Sequence, residues 1–139
     1  MSFREKRAWV ELVSLLFVYG IYIALYGRTW LPAGSSGFSI PIVGLVIALI
    51  VVQIVLMIAL SMASPGEARA PFDERDRIIN LSATRAGFIA LQAGAFMVLV
   101  DAWLHASLAL IANSVLLTMA SGEAVRAAWK IIGYRGTAA

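Results

Sequence analysis

The sequence contains no cysteine and little charge: 14% of its 139 residues are Asp, Glu, Lys or Arg, against about 25% in soluble domains. The missing cysteines exclude disulfides, thiol nucleophiles and cysteine-ligated zinc or iron–sulfur sites. A water-soluble domain of this size buries only about two-thirds of its chain surface. With 61% hydrophobic residues and a mean hydropathy of +0.87, the chain would expose too much apolar surface in water. The composition therefore indicates a membrane protein.

Four apolar stretches approach the roughly 20 helical residues needed to cross about 30 Å of hydrocarbon. The second stretch is the strongest because it carries no charge, begins with Pro41 and is followed by Pro65 and Gly66, which end a helix. The sequence thus predicts an all-α membrane protein with one domain of four transmembrane helices. The predicted spans, numbered one to four, are 8–26, 41–63, 78–100 and 104–120.

Spans three and four are expected to extend beyond the membrane. Only 15 apolar residues follow Arg85 before Asp101, so the third helix should begin near Glu74, project about two turns into the cytoplasm and let Arg85 snorkel towards the head groups. The fourth helix either continues past Gly122 or kinks there. The sequence leaves these two alternatives open.

The basic residues predict the orientation of the spans. Nine of the eleven lie before span one, between spans two and three or after span four, and Arg85 lies just inside span three, whereas Arg28 alone lies in the segment between spans one and two. The positive-inside rule then places both termini in the cytoplasm, with 27–39 and 101–105 outside. We expect consecutive spans to pack as antiparallel neighbours. Because the basic residues form no stripe, we expect lipids as partners and no nucleic acid.

The amino-terminal basic stretch before span one could also belong to a secretory signal. However, Tyr19, Tyr22 and Tyr26 occupy the far end of the apolar run, where small residues would mark a cleavage site. We therefore expect span one to be a retained anchor.

The segment between spans two and three concentrates the polar residues. Asp73 can cap the first free N–H groups of a helix, and Glu74 and Asp76 complement its positive end. We expect the alternating charges to neutralise one another along the helix, and we interpret the segment as a cytoplasmic docking site. It consists of Asp73, Glu74, Arg75, Asp76 and Arg77.

The second half of the chain resembles a known family. The run Asp73-Glu74-Arg75-Asp76-Arg77, the step Ala83-Thr84-Arg85 and the tail from Trp129 to Gly136 are similar to those of small four-span prokaryotic membrane proteins of unknown function. The resemblance covers roughly residues 73–136. It implies a pair of helical hairpins in the inner membrane, and it implies no catalytic role.

Two sets of polar residues within the spans are candidate sites. Gln53, Gln92 and Asn113 lie near the centres of spans two, three and four and could line a polar pathway; the simpler alternative is hydrogen bonding between helices. Glu11 and Arg85 should lie at similar depth and form a buried ion pair. The alternative is that Arg85 binds a lipid phosphate and Glu11 contacts Arg7 or Lys6.

At the outer interface, His105 follows Asp101 by four residues. One histidine without cysteine supplies too few ligands for a metal or haem, so we expect no metal and no cofactor, and a hydrogen bond from His105 to Asp101 or water. Small residues also recur every four positions, as in Gly20 and Ala24, in Gly44 and Ala48, and in Ala86, Ala90 and Gly94. This spacing favours close helix packing, within the chain or between copies.

The chain carries no pattern typical of an enzyme. It has no Gly-x-Ser-x-Gly, no phosphate-binding glycine motif and no metal-binding helix motif, so we expect no catalytic residue. The favoured hypothesis is an accessory, structural or regulatory subunit of the bacterial inner membrane that packs against partner membrane helices or itself. The alternative is a small oligomeric transporter or multidrug exporter, for which Glu11 would be the membrane carboxylate.

Overall fold

The computed structural model describes residues 3–26, 39–68, 71 and 73–136, and every regular element in this part of the chain is a helix. Four of the helices are long and apolar enough to cross a membrane, which confirms the predicted all-α class and the number of spans. The segment 27–38 with Arg28, and also Arg69 and Phe72, lie outside the described residues. The helices are α1 (Phe3–Tyr26), α2 (Ser39–Ala63), α3 (Pro65–Ala68), α4 (Glu74–Trp103) and α5 (Leu108–Gly136).

The first two spanning helices follow their sequence signals closely. Helix α2 contains Pro41 in its first turn and ends at Ala63, just before Pro65 begins the single turn α3. Helix α1 begins five residues earlier than the predicted span, so that its first basic and acidic residues, including Arg4 and Glu5, are helical. Those early residues therefore have fixed positions from which they reach other helices.

Helix α4 begins where the sequence predicts a cap. The Asp73 carboxylate accepts a hydrogen bond from the Glu74 backbone N–H at 2.7 Å, and the Asp76 carboxylate accepts one from the Asp73 N–H at 3.2 Å. This reciprocal capping box satisfies N–H groups that have no partner inside the helix. The helix has 30 residues and is about 45 Å long at 1.5 Å per residue, so it exceeds the hydrocarbon thickness.

The turn between α4 and α5 lies later than predicted. Helix α4 continues to Trp103, and α5 begins at Leu108 instead of residue 104, because His105 adopts the left-handed conformation, with φ of 56°. The N–H groups of His105 and Ala106 donate to the carbonyls of Ala102 and Asp101, which is the pattern of a Schellman motif. The Ser107 hydroxyl then accepts a hydrogen bond from the Leu110 N–H at 3.2 Å and caps α5.

Helix α5 is continuous from Leu108 to Gly136, which decides between the two alternatives for span four. Gly122 does not break the helix but lies buried against α4, where the Gly87 carbonyl oxygen is 3.3 Å from the position of a Cβ built on Gly122. The missing side chain at Gly122 therefore serves packing between helices.

The helices are arranged with α5 between α1 and α4, while α2 packs on α1. Consecutive spans are neighbours in the pairs α1–α2 and α4–α5, as predicted, but the expected packing of α2 along α4 is wrong. Helix α4 instead places its small residues against α5. Contacts between Arg4 and Asp76 and between Glu5 and Arg135 show that the starts of α1 and α4 and the end of α5 lie at the same end of the bundle.

Candidate functional site

The polar residues of the structure concentrate at the end of the bundle where α1 and α4 begin and α5 ends. Acidic and basic side chains from the three helices form ion pairs there, and we call them the terminal cluster. Its members are Arg4, Glu5, Arg7, Glu11, Asp76, Lys130 and Arg135.

Glu11 is the central carboxylate of the terminal cluster. Its Oε1 is 3.2 Å from the Arg7 Nε one turn earlier on α1, and its Oε2 is 3.0 Å from the Lys130 Nζ on α5. The Glu11 and Lys130 side chains retain only 15% and 14% of their exposure, so water screens the pair weakly. The contact holds α1 against α5 by an ion pair between helices.

The structure does not bring Glu11 and Arg85 together, so the predicted ion pair between them is wrong. Helix α5 lies between α1 and α4, and Lys130 of α5 occupies the position at Glu11 that was assigned to Arg85. The Arg85 side chain is exposed and makes no ion pair with a carboxylate in the described residues. The bond between Arg7 and Glu11 agrees with the alternative that places Arg7 beside Glu11.

Two residues of the predicted docking segment bind other helices. Asp76 pairs with Arg4 of α1, and Arg75 Nη2 donates to the Tyr134 carbonyl oxygen of α5 at 3.3 Å. The expected neutralisation along the helix is therefore incomplete, because part of the segment ties α4 to α1 and α5. Glu74 and Arg77 are exposed, and docking through them stays a prediction.

The outer side of the terminal cluster is formed by Arg135. Its Nε lies 3.1 Å from Glu5 Oε1, and its guanidinium carbon lies 5.3 Å from the centroid of the Trp9 ring. An arginine over an indole face gains cation–π attraction. These two contacts fix the last turn of α5 beside the first turns of α1.

Two cavities adjoin the terminal cluster. The polar cavity has a volume of about 250 Å³ and is lined by residues that include Arg4, Asn80 and Lys130. The lateral cavity has a volume of about 410 Å³ and lies between α1, α2 and α5, where Val10, Gln53, Met57 and Ile58 contribute to its lining. Three residues line both cavities and form their shared wall, namely Arg7, Glu11 and Arg126.

The three predicted central amides do not meet. Asn113 is buried, accepts a hydrogen bond from the Tyr22 hydroxyl at 2.6 Å and donates to the Ala109 carbonyl at 2.8 Å. Gln53 lines the lateral cavity, and Gln92 is exposed on α4. The structure therefore assembles no polar pathway from these three amides, whereas at Asn113 it has the hydrogen bond between helices that was the simpler alternative.

Asp101 and His105 are also separate. The Asp101 carboxylate accepts a hydrogen bond from the Ser114 hydroxyl at 2.6 Å, and the exposed His105 lies in the left-handed turn position. Asp101 thus ties the end of α4 to α5. Among the described residues no group of three or more His, Cys, Asp or Glu side chains could hold a metal ion.

Helix α5 contributes to the site in a way that the sequence expectations do not include. Lys130 and Arg126 were used only to predict orientation, although Glu123, Arg126 and Lys130 recur at spacings of three and four residues. Such spacing places side chains on one face of a helix, and Arg126 Nη2 does bind Glu123 Oε2 at 2.8 Å. The charged face of α5 was the available signal for a site that this helix shares with α1.

Comparison of the chain with protein-family models, curated proteins and solved structures finds no match. The resemblance carried by residues 73–136 stays a prediction from the sequence.

Proposed function

We propose that the chain is a non-catalytic subunit of the bacterial cytoplasmic membrane that packs its outer helices against partner membrane helices. The observation that carries this proposal is the incomplete burial of α2 and α4. Only 6% of the most apolar stretch of each is buried inside the chain, against 22% for α1 and α5. The two outer helices therefore offer long apolar faces, and accessory and structural subunits use such faces for assembly.

The face of α2 that is left open is wide. Residues that pack towards α1 recur at helical spacing and include Leu45, Leu49 and Val52, whereas Ile47, Ile50 and Val51 on the other sides are half exposed. In a bilayer, lipid tails cover such residues as well as protein does, so association needs close packing as well as apolar surface. The test must therefore distinguish contact with protein from contact with lipid.

Site-specific photo-cross-linking in native membranes makes this distinction. A photoreactive side chain replaces Ile47 on α2 or Phe88 on α4, both exposed, and Leu104 in the α4–α5 turn is the control position. We expect a discrete adduct with one other membrane chain from α2 or α4, and none from Leu104. Adducts with lipid alone at both helices would overturn the proposal, and adducts only between copies of this chain would instead support the oligomeric transporter.

The orientation belongs to the same proposal. The starts of α1 and α4 and the end of α5 share one end of the bundle. The nine basic residues of the described chain lie on the halves of these three helices that are nearer to this end. This distribution supports a cytoplasmic position for this end. Reporter fusions after residue 139 and within 34–37 should report cytoplasm and periplasm. A periplasmic carboxyl terminus would overturn this orientation.

A further inference from the structure

The two cavities beside the terminal cluster share three lining residues, and only the lateral cavity continues to a group of apolar side chains. Arg7, Glu11 and Arg126 line both of them. Beyond this wall the polar cavity continues to Lys130 and Asn80, and the lateral cavity continues to Met57 and Ile58. A ligand that fills both cavities must have a polar head and an apolar tail joined within a short distance.

The charged side chains of the polar cavity determine which charge the head group of a ligand should have. Four cationic side chains and one carboxylate line it, namely Arg4, Arg7, Arg126, Lys130 and Glu11. Asp76 and Glu123, which pair with Arg4 and Arg126, do not line this cavity but reduce the excess of positive charge from three to one. The cavity therefore favours a head group with net negative charge.

Arg126 supplies a second observation that points to an anion. Its Nε is buried and has no hydrogen-bond partner in the described part of the chain, although its Nη2 binds Glu123. A buried N–H without an acceptor is costly. A phosphate oxygen entering the shared wall would provide the acceptor, and arginine binds phosphate with particular strength because its donors form a planar fork.

The lateral cavity fits a hydrocarbon chain at the depth where lipid is present. Val10 and Leu15 of α1 and Met57 of α2 provide apolar walls, whereas Gln53 and Glu123 line its polar part. Ile54 and Ile58 also line the cavity and are about half exposed on α2, so the cavity borders the surface that the bilayer covers. An acyl chain can therefore reach it from the surrounding lipid.

We propose that the two adjacent cavities together bind one anionic glycerophospholipid, with its phosphate against Arg126 and Lys130 and an acyl chain against Met57 and Ile58. This site is distinct from binding to partner helices. It rests on the proposed function only through the orientation of the chain, which decides which leaflet supplies the lipid. The depth of the head group is set by the terminal cluster. Basic pockets between transmembrane helices are known to hold anionic head groups.

The experiment measures thermal stability of the full chain in mild detergent with added lipid. Phosphatidylglycerol is compared with phosphatidylcholine of the same acyl chains, and inorganic phosphate is the soluble control. We expect a concentration-dependent rise in Tm with phosphatidylglycerol and at least a threefold weaker apparent affinity for phosphatidylcholine. Equal effects of the two lipids would overturn the selection of an anionic head, and an equal effect of inorganic phosphate would show a free-anion site instead of a lipid site.

Matched variants locate the binding. Arg126→Gln removes the donor in the shared wall and leaves only the half-exposed Glu123 without its partner, so the fold should persist. It should weaken phosphatidylglycerol binding about tenfold, or about 1.4 kcal/mol. Arg85→Gln makes the same change of charge at an exposed position on α4 and should leave the affinity unchanged. Equal affinities of the two variants would overturn the assignment.

A second pair of variants tests the apolar part of the lateral cavity. Met57→Trp fills the lateral cavity, whereas Val55→Trp adds the same volume at an exposed position on α2. We expect Met57→Trp alone to weaken phosphatidylglycerol binding at least fivefold while leaving binding of inorganic phosphate unchanged. Full lipid affinity in Met57→Trp would show that no acyl chain enters the cavity.

Discussion

Helices α4 and α5 touch through their backbones, whereas α2 lies against α1 only through side chains along one stripe. A Cβ built on Gly87 would lie 2.8 Å from the Gly122 carbonyl oxygen and 2.9 Å from the Arg126 Cβ, but one built on Gly44 of α2 would meet nothing within 4 Å. The two regions show that small residues at helical spacing do not by themselves produce close packing.

The difference follows from the solvent of these helices. Apolar surface has little preference for protein over lipid tails, so helices associate through close van der Waals contact and hydrogen bonds between them. The α4–α5 pair has both, since the Trp129 Nε1 donates to the Ser82 hydroxyl at 2.8 Å and Gly133 lies against Ile79. Helix α2 is strongly apolar, with a mean hydropathy of 3.1 over its span, and its Gly44 has no neighbouring helix in close contact.

The largest expected effect comes from a substitution that disrupts the close contact of α4 and α5. Gly87→Leu places a side chain where the Gly122 backbone and Arg126 already lie, and overpacking of this kind costs about 3 kcal/mol. Thermal unfolding in detergent should show a clear fall in Tm. The matched control is Gly44→Leu, which has open space around it and should unfold near the wild-type temperature; equal losses in the two variants would contradict the comparison.

The next largest effect is expected from removing the ion pair between α1 and α5. Glu11→Gln removes a carboxylate that binds Lys130 and should cost about 2 kcal/mol, less than the 3–5 kcal/mol of a fully buried pair, because both side chains keep some exposure. A double-mutant cycle with Lys130→Gln should give a coupling above about 1 kcal/mol. The same cycle with Arg85→Gln should be additive, and coupling of Glu11 to Arg85 instead would show that Arg85 is the partner of Glu11.

A smaller effect concerns the polar contact deeper in the α1–α5 pair. Tyr22→Phe removes the hydroxyl that donates to Asn113 Oδ1, and hydrogen bonds between membrane helices contribute on average about 0.6 kcal/mol. We expect a loss of this size in chemical or thermal unfolding. Because α1 contacts both α2 and α5, a loss far larger than the average would show that this bond also holds the core of Tyr22, Leu45 and Leu116 in place.

The smallest effect is expected on α2. Ile50→Ala shortens a side chain that is 51% exposed, and substitutions at such positions usually change stability by less than about 0.5 kcal/mol. The purified chain should unfold as the wild type does. A large loss would show that a second copy covers α2 in detergent, which size-exclusion chromatography of both proteins would detect.

The helices could be predicted from the sequence because each carries a local signal. Hydropathy marks the four spans, Pro65 follows the end of α2, and Asp73 with Asp76 marks the start of α4. These signals act within a few residues of each other. The late start of α5 was missed because His105 takes a left-handed position that glycine usually occupies at a helix end.

The partners of the candidate site could not be predicted in the same way. Which helix faces Glu11 depends on packing between α1, α4 and α5, and no spacing along the chain encodes it. Arg85 and Lys130 are equally plausible partners of Glu11 if only depth in the membrane is considered. The placement of α5 between α1 and α4 makes Lys130 the partner. Likewise, the four-residue spacing predicts that Ala86 and Ala90 pack closely against another helix, whereas Ala83 and Gly87 are the small residues of α4 that are buried.

The position of α5 between α1 and α4 also has a consequence for synthesis and folding. Contacts of α1 with α5 join residues 91 to 130 positions apart, so α1 and α2 enter the membrane long before the helix that α1 needs is made. Until residues 108–136 are inserted, α1 can contact α2 and form the Arg4–Asp76 ion pair with α4, but α4 lacks the helix against which its glycines pack. The contacts of α5 with α1 and α4 can therefore form only after most of the described chain has been made.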